Sequence, residues 1–280
     1  MSYSAEINRD NPSCFLFLLD QSGSMRWPIG NLTPPMSKAQ MVADVINKLL
    51  QNLVIKCART EGVRDYFHIG VIGYSSAHVK SVLPKDFSNR TLIPISELAE
   101  FPLRIDHRKT KISDGAGGLV EQEKRFPVWL DPYCCGATPM CEAIRTAKDF
   151  LDNWLNDHYQ SFPPTVINIS DGEATDGNPQ EPADQLKALK NSDGNVLLYN
   201  IHVSDTAASP IEFPDNDGEL PDTYSKMLFG MSSILPENIR ICAEREDYRV
   251  SENTRGFTFN ADAVALVRFL DIGTRPSNMR

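Results

Sequence analysis

Six consecutive apolar residues, Cys14-Phe15-Leu16-Phe17-Leu18-Leu19, run straight into Asp20-Gln21-Ser22-Gly23-Ser24. A run of that length with no polar alternation is a strand buried on both faces, and such strands belong to parallel sheets covered by helices on either side. The polar pentapeptide then falls at the carboxyl end of the strand, where open α/β sheets bind their ligands. The same grammar recurs at Thr165-Val166-Ile167-Asn168-Ile169 followed by Ser170-Asp171-Gly172-Glu173.

Helical periodicity fills the intervals. Ser37 and Gln40 have capping-box spacing, and Met41, Val42, Val45, Ile46, Leu49, Leu50, Leu53 and Val54 repeat at three and four. Tyr66 to Tyr74 and Ala77 to Leu83 read as two strands, joined closely enough at Ser75-Ser76 to form an antiparallel hairpin. Pro139 suits the first turn of a helix with Thr138 as its N-cap, and Met140, Ile144, Ala147, Phe150, Leu151, Trp154 and Leu155 supply its apolar face. Further on, Glu181 to Lys190 predicts a helix, Asn195 to Val203 a strand, and Tyr224 to Leu235 a partly helical stretch. Arg255 to Asn260 predicts a last strand and Asp262 to Leu270 a closing helix. Strands alternating with amphipathic helices specify an α/β fold: a three-layer, Rossmann-like open sheet, mostly parallel with one antiparallel edge strand, with helices on both faces.

At 280 residues the chain suits one such domain, with a core from about 13 to 270. Two segments interrupt it. Residues 85–127 hold short β-like pieces, a basic patch (Arg104, Arg108, Lys109, Lys111) and a glycine-rich turn at Gly115 to Gly118; residues 205–222 are rich in proline and acid. The formal charge of −9, spread along the chain, argues against nucleic acid as the main partner. No apolar run approaches the roughly 20 residues of a membrane helix, and Met1 to Ser13 lacks the pattern of a secretory leader. Six cysteines without CxxC spacing read as reduced thiols, including the adjacent Cys134 and Cys135, which are expected to be buried; a cytoplasmic location is the expectation that follows.

The two strand ends and the Thr138 loop carry small oxygen-bearing side chains: Asp20, Ser22 and Ser24; Thr138; Asp171. Magnesium demands near-octahedral oxygen coordination and keeps several waters, and three hydroxyls with two carboxylates meet that demand. Asp-x-Ser-x-Ser taken alone would equally suit a turn or helix cap. Gln21, Met25, Asp131 and Glu173 are expected to form the rim of the site, Asp176 following close by. His68 and His202 lie in strands and are expected to be structural.

The three motifs Asp20-Gln21-Ser22-Gly23-Ser24-Met25, Gly136-Ala137-Thr138-Pro139-Met140 and Ile169-Ser170-Asp171-Gly172-Glu173, in this order, resemble the metal-ion-dependent adhesion site of von Willebrand factor type A domains. The resemblance spans roughly Ser13 to Leu270. It implies that Ser22, Ser24 and Thr138 contact Mg2+ (Mn2+ or Ca2+ being possible substitutes), with Asp20 and Asp171 bound directly or through water. A partner protein's Asp or Glu would complete the coordination. Intracellular bacterial members, some associated with tellurite resistance, act as scaffolds beside kinases, phosphatases or ATPases; this chain is similar to those, which implies a binding module and not an enzyme. The competing reading is a Mg2+-dependent phosphohydrolase, since a carboxylate at a strand end also opens such sites. A haloacid-dehalogenase-like enzyme would want a second aspartate where Ser22 stands, and neither a GxxxxGK[ST] loop nor a GxSxG elbow is present.

Overall fold

The strand β1 (Ser13–Asp20) is buried at all eight positions, as its unbroken apolar run requires. It pairs in parallel with β4 (Phe67–Ser75) on one side and with β9 (Thr165–Ser170) on the other. The computed structural model describes residues 3–29, 35–84, 87, 90–113, 119–203 and 209–273. Between β1 and β4 lie α1 (Lys38–Cys57) and the short pair β2 (Ala58–Arg59) and β3 (Gly62–Val63). After β4 come β5 (His78–Ser81), β6 (Ile93–Pro94), α2 (Ile95–Glu100), β7 (Arg104–Ser113), β8 (Leu119–Val128) and α3 (Met140–Asp157). Beyond β9 follow α4 (Gln180–Ala188), β10 (Leu197–His202), β11 (Ile211–Glu212), α5 (Thr223–Met231), α6 (Glu237–Glu244), β12 (Phe257–Phe259) and α7 (Ala263–Gly273).

The main sheet runs in the order β11-β12-β10-β9-β1-β4-β5, with β6 also on β4. The four central pairings are parallel. One antiparallel edge was expected; the sheet has β5 antiparallel at one edge, β11 antiparallel at the other, and β6 antiparallel against β4. The correction has a simple cause. Ile211 and Glu212 lie inside an acidic, proline-rich segment whose composition hides a two-residue strand.

Alternation along β1 divides the core in two. Phe15, Phe17 and Leu19 join Ile167, Ile169, Tyr199 and Ile201 under α1, α2, α6 and α7. Cys14, Leu16 and Leu18 join Val166 and Leu198 under α3, α4 and α5. Each fully buried aliphatic or aromatic side chain contributes roughly 1.5–3 kcal/mol by leaving water. Helix α1 begins where its cap predicts, with Ser37 Oγ accepting from Gln40 N at 3.1 Å, but Gln40 turns its own amide to Asp44 and does not close the box. Helices α2 and α6 carry no long amphipathic pattern and were not expected.

A polar relay lies buried in the second core. Tyr74 Oη donates to Asn168 Oδ1 (2.8 Å), Asn168 Nδ2 to Asn200 Oδ1 (3.0 Å), and Asn200 Nδ2 to Ser232 Oγ (3.0 Å). These bonds tie β4, β9, β10 and the end of α5 together beneath the carboxyl ends of the strands. Satisfied in this way, the buried amides cost little and fix the register.

The segment 85–127 builds a ribbon of its own, β7 against β8, in register from Arg104↔Val128 to Ser113↔Leu119. The glycine-rich turn Gly115 to Gly118 lies outside the described residues. At the ribbon's base Arg108 reaches Asp44 of α1 at 2.8 Å and stacks 3.6 Å over Phe126, while Arg104 pairs with Asp106 and Asp131. The chain re-enters the core at Trp129 and Leu130, whose backbone N–H groups both donate to Asn47 Oδ1 of α1.

His68 illustrates how burial sets a charge state. Its Nδ1 accepts from Trp154 Nε1 at 2.8 Å, and His158 stacks on Trp154 at 4.3 Å. Burial first, and His158 second, push His68 down to about 4. The unfolded chain titrates near 6.5, so below that pH it takes up a proton that the native state refuses, until about 4. Stability should therefore fall as pH drops from 7.5 to 5.0 in urea unfolding, and less steeply in His68→Gln; an unchanged slope in the variant would remove His68 as the cause.

Candidate metal centre

The parallel register places the candidate residues. Leu19 pairs with Ile169, so Asp20 and Ser170, one step further, stand side by side on the face of the second core. Ser170 Oγ donates to Asp20 Oδ2 at 2.7 Å, and Ser22 N donates to Asp20 Oδ1 at 2.8 Å. Asp20 is 2% exposed. Burial, opposed by the bonds from Ser170 and Ser22, pushes its carboxyl up to about 6. A carboxylate held out of water in this way is relieved by a nearby cation.

Beyond Asp20 the chain turns through a 3-10 segment, Gly23–Arg26. Ser22 Oγ lies 2.9 Å from Ser24 Oγ, and Ser24 Oγ donates to Asp171 Oδ1 at 2.7 Å. The Asp171 side chain is 1% exposed, and its second oxygen, Oδ2, accepts from Lys38 Nζ at 2.8 Å. Adjacent ligands in a magnesium octahedron, about 2.0–2.1 Å from the ion, stand about 2.9 Å from one another. The Ser22–Ser24–Asp171 string is close to that spacing, and its side-chain oxygens are of the type a hard divalent cation takes. Among the described residues no three His, Cys, Asp or Glu side chains gather into a metal cluster.

The Thr138 loop is bound to both strand-end loops. Gly23 N donates to Gly136 O (2.8 Å) and Cys135 N to Gln21 O (2.7 Å); on the other side Thr138 N donates to Thr175 Oγ1 (3.0 Å) and Thr175 N to Thr138 O (2.9 Å). Thr138 is thus buried between them. It is not the N-cap of α3, as expected: Pro139 takes that position and has no side-chain acceptor. Asp176 replaces it from the loop after β9, accepting from Cys141 N at 3.0 Å and Glu142 N at 2.9 Å. Asp176 is therefore a cap for α3 and not part of a rim.

The expected rim needs two corrections. Met25 is fully buried in the first core, because the 3-10 turn points it inward. Gln21 is buried as well, its Oε1 3.0 Å from His78 Nε2 and close enough to Gly73 that a Cβ there would collide with it. Asp131 is exposed, pairs with Arg104 at the ribbon base and lines a small hollow together with Asp20 and Gln21. Glu173 is exposed and accepts from Tyr224 Oη beside a hollow of about 430 Å³ that Pro179 and Met227 also line. Exposed aromatic rings ring the loops instead: Trp27 after the 3-10 turn, Tyr133 against His78, and Tyr224 on Glu173. Contrary to expectation, Cys135 is exposed and Cys134 half-buried.

Lys38 and Ser170 were missed. Ser170 could have been found from the register, being the residue of β9 level with Asp20. Lys38 left a subtler signal: a lysine in the first turn of a helix opposes the helix dipole, and a buried one needs an anion.

An open, mostly parallel sheet with a hydroxyl–carboxylate cluster at the carboxyl ends of its central strands is the class of protein these features define. No family model matches the sequence, and no curated protein does so. Solved structures do resemble it. The ArnB paralog VWA2 from Sulfolobus acidocaldarius is 15% identical with a TM-score of 0.36, over 69% of this chain and 35% of that one. The vWF domain of the type V pili tip protein Mfa5 from Porphyromonas gingivalis is 12% identical with a TM-score of 0.31, over 59% of this chain and 39% of that one. This chain thus matches little more than a third of either. Strand order and register, not these scores, define the fold. Among the described residues no helix is long and apolar enough to cross a membrane.

Gly136 has φ +72°, and a Cβ there would fall 1.6 Å from Ser76 Oγ. Gly136→Ala should cost about 1–3 kcal/mol in urea unfolding; an unaltered midpoint would show that the loop is not held in this conformation.

Proposed function

We propose that this chain is a metal-dependent protein-binding module of the von Willebrand factor A type, with Mg2+ held by Ser22, Ser24 and Thr138 together with Asp20 and Asp171. The observation that carries the proposal is the string Ser22 Oγ–Ser24 Oγ–Asp171 Oδ1, spaced at 2.9 and 2.7 Å and set beside the buried Asp20. The motif order and the strand register support the same assignment.

The ion, when bound, supplies a hard positive centre that attracts a carboxylate oxygen. The chain's residues do the rest. Ser22, Ser24 and Thr138 offer neutral oxygens, and the ion keeps a coordination position that an Asp or Glu of a partner protein fills. Asp20 is held in place by Ser170 and by Ser22 N, which keeps one carboxylate under the hydroxyls. Trp27, Tyr133 and Tyr224 provide exposed aromatic area of the kind enriched in protein interfaces. The module is read as an intracellular scaffold whose partner is a kinase, phosphatase or ATPase, and as a non-enzyme.

Calorimetry should detect Mg2+ binding that weakens roughly 10–100-fold in Ser24→Ala and in Asp20→Asn, while the far-UV spectrum is unchanged. Partner capture should be lost in chelator; equal capture with and without Mg2+ would sink the mechanism. Turnover of phosphate esters that disappears in Asp20→Asn would favour the phosphohydrolase instead.

A further inference from the structure

We propose that Lys38 is a built-in counter-cation that makes the metal centre depend on a carboxylate from its partner; this rests on the metal-binding reading of the same site. The Lys38 side chain is 5% exposed, opens helix α1, and sets its ammonium 2.8 Å from Asp171 Oδ2. The opposite oxygen of that carboxylate, Oδ1, is the one that meets Ser24 Oγ at 2.7 Å. Asp171 thus divides its charge between a fixed ammonium on one side and the hydroxyl string on the other. Nothing about the helix asks for a lysine there, since a cation at a helix N-terminus opposes the dipole. The backbone holds it in place: Lys38 N donates to Trp27 O at 3.0 Å, and Ser37 caps the helix just before it.

Charge counting gives the consequence. Asp20 and Asp171 contribute two negative charges and Lys38 one positive, leaving one net negative charge to meet a divalent ion. With the ion in place the cluster carries one positive charge, which one external carboxylate neutralises. Without Lys38 the two aspartates alone would balance the ion, and a partner's carboxylate would add nothing in charge. Lys38 therefore weakens metal binding to the free protein and favours binding of metal and anionic partner together, a reciprocal coupling of two ligands at one site.

The test uses Mg2+ alone on the full chain, read by calorimetry, with Mn2+ as a second probe. Lys38→Met should bind Mg2+ about tenfold or more tightly than the unmodified protein, within the roughly 5–150-fold range of such couplings. Lys38→Arg, which keeps the charge, should bind like the unmodified protein. The gain should vanish when Lys38→Met is combined with Asp171→Asn, because the effect acts through that carboxylate. Lys38→Gln serves as the second neutral variant if Lys38→Met does not fold. Affinity equal to or weaker than that of the unmodified protein in a folded neutral variant overturns the proposal while leaving the metal site standing. Binding only in the neutral variant supports it, as the ammonium then holds the ion's place. Absence of divalent binding in every form overturns both this proposal and the metal reading beneath it.

Discussion

The parallel pairing of β1 with β4 on one side and β9 on the other is the constraint on which the rest of the molecule depends. Parallel strands end at the same edge, so the polar residues that follow β1 and β9 must emerge together. The pairing Leu19↔Ile169 leaves Asp20 level with Ser170 and brings Asp171 within reach of Ser24. A slip of one residue would turn Asp20 to the other face and bury Leu19 where the relay through Asn168 and Asn200 now runs. That relay gives the register a second lock: Asn168 meets Tyr74 and Asn200 only when all three strands are aligned as they are.

Much of this was legible in the sequence because it depends on local pattern. An unbroken apolar run gave β1 its place and largely apolar runs gave β4 and β9 theirs, since a strand covered on both faces has no reason to alternate. The helical face of α1 and the cap at Ser37 were visible for the same reason. What could not be read is the part in which a residue answers to something distant. Met25 sits in a polar motif yet is buried, because a 3-10 turn, not the motif, sets its direction. Thr138 has the composition of a cap, but Asp176 from another loop takes that task. The ribbon β7–β8 was readable only as fragments, because alternating charges on two exposed strands resemble any solvated loop until they are paired.

The basic patch shows what pairing adds in electrostatic form. In sequence, Arg104, Arg108, Lys109 and Lys111 read as a solvated hairpin, with an acidic partner as the alternative. In the fold, Arg104 meets Asp106 and Asp131, Arg108 meets Asp44, and Lys109 meets Glu121. Exposed pairs of this kind contribute little to stability individually, at most about 1 kcal/mol. Their effect is on position: Arg108, stacked on Phe126 and paired with α1, fixes where the ribbon leaves the body of the protein.

Buried charge is treated differently, and the contrast lies in how the two buried aspartates are compensated. Asp20 is surrounded by hydrogen-bond donors that carry no charge, and burial raises its carboxyl to about 6. Asp171 is given a full opposite charge by Lys38 at 2.8 Å. One carboxylate is therefore kept short of compensation while its neighbour is compensated on one oxygen only. A site with both aspartates fully paired would have no demand for a cation, and a site with neither paired would pull strongly against the sheet that buries it. The observed division lies between these, and it follows from two features far apart in the chain: a serine at the end of β9 and a lysine at the start of α1. The uneven compensation of the two carboxylates is thus a property of how two neighbouring strands and one helix terminus share three charges.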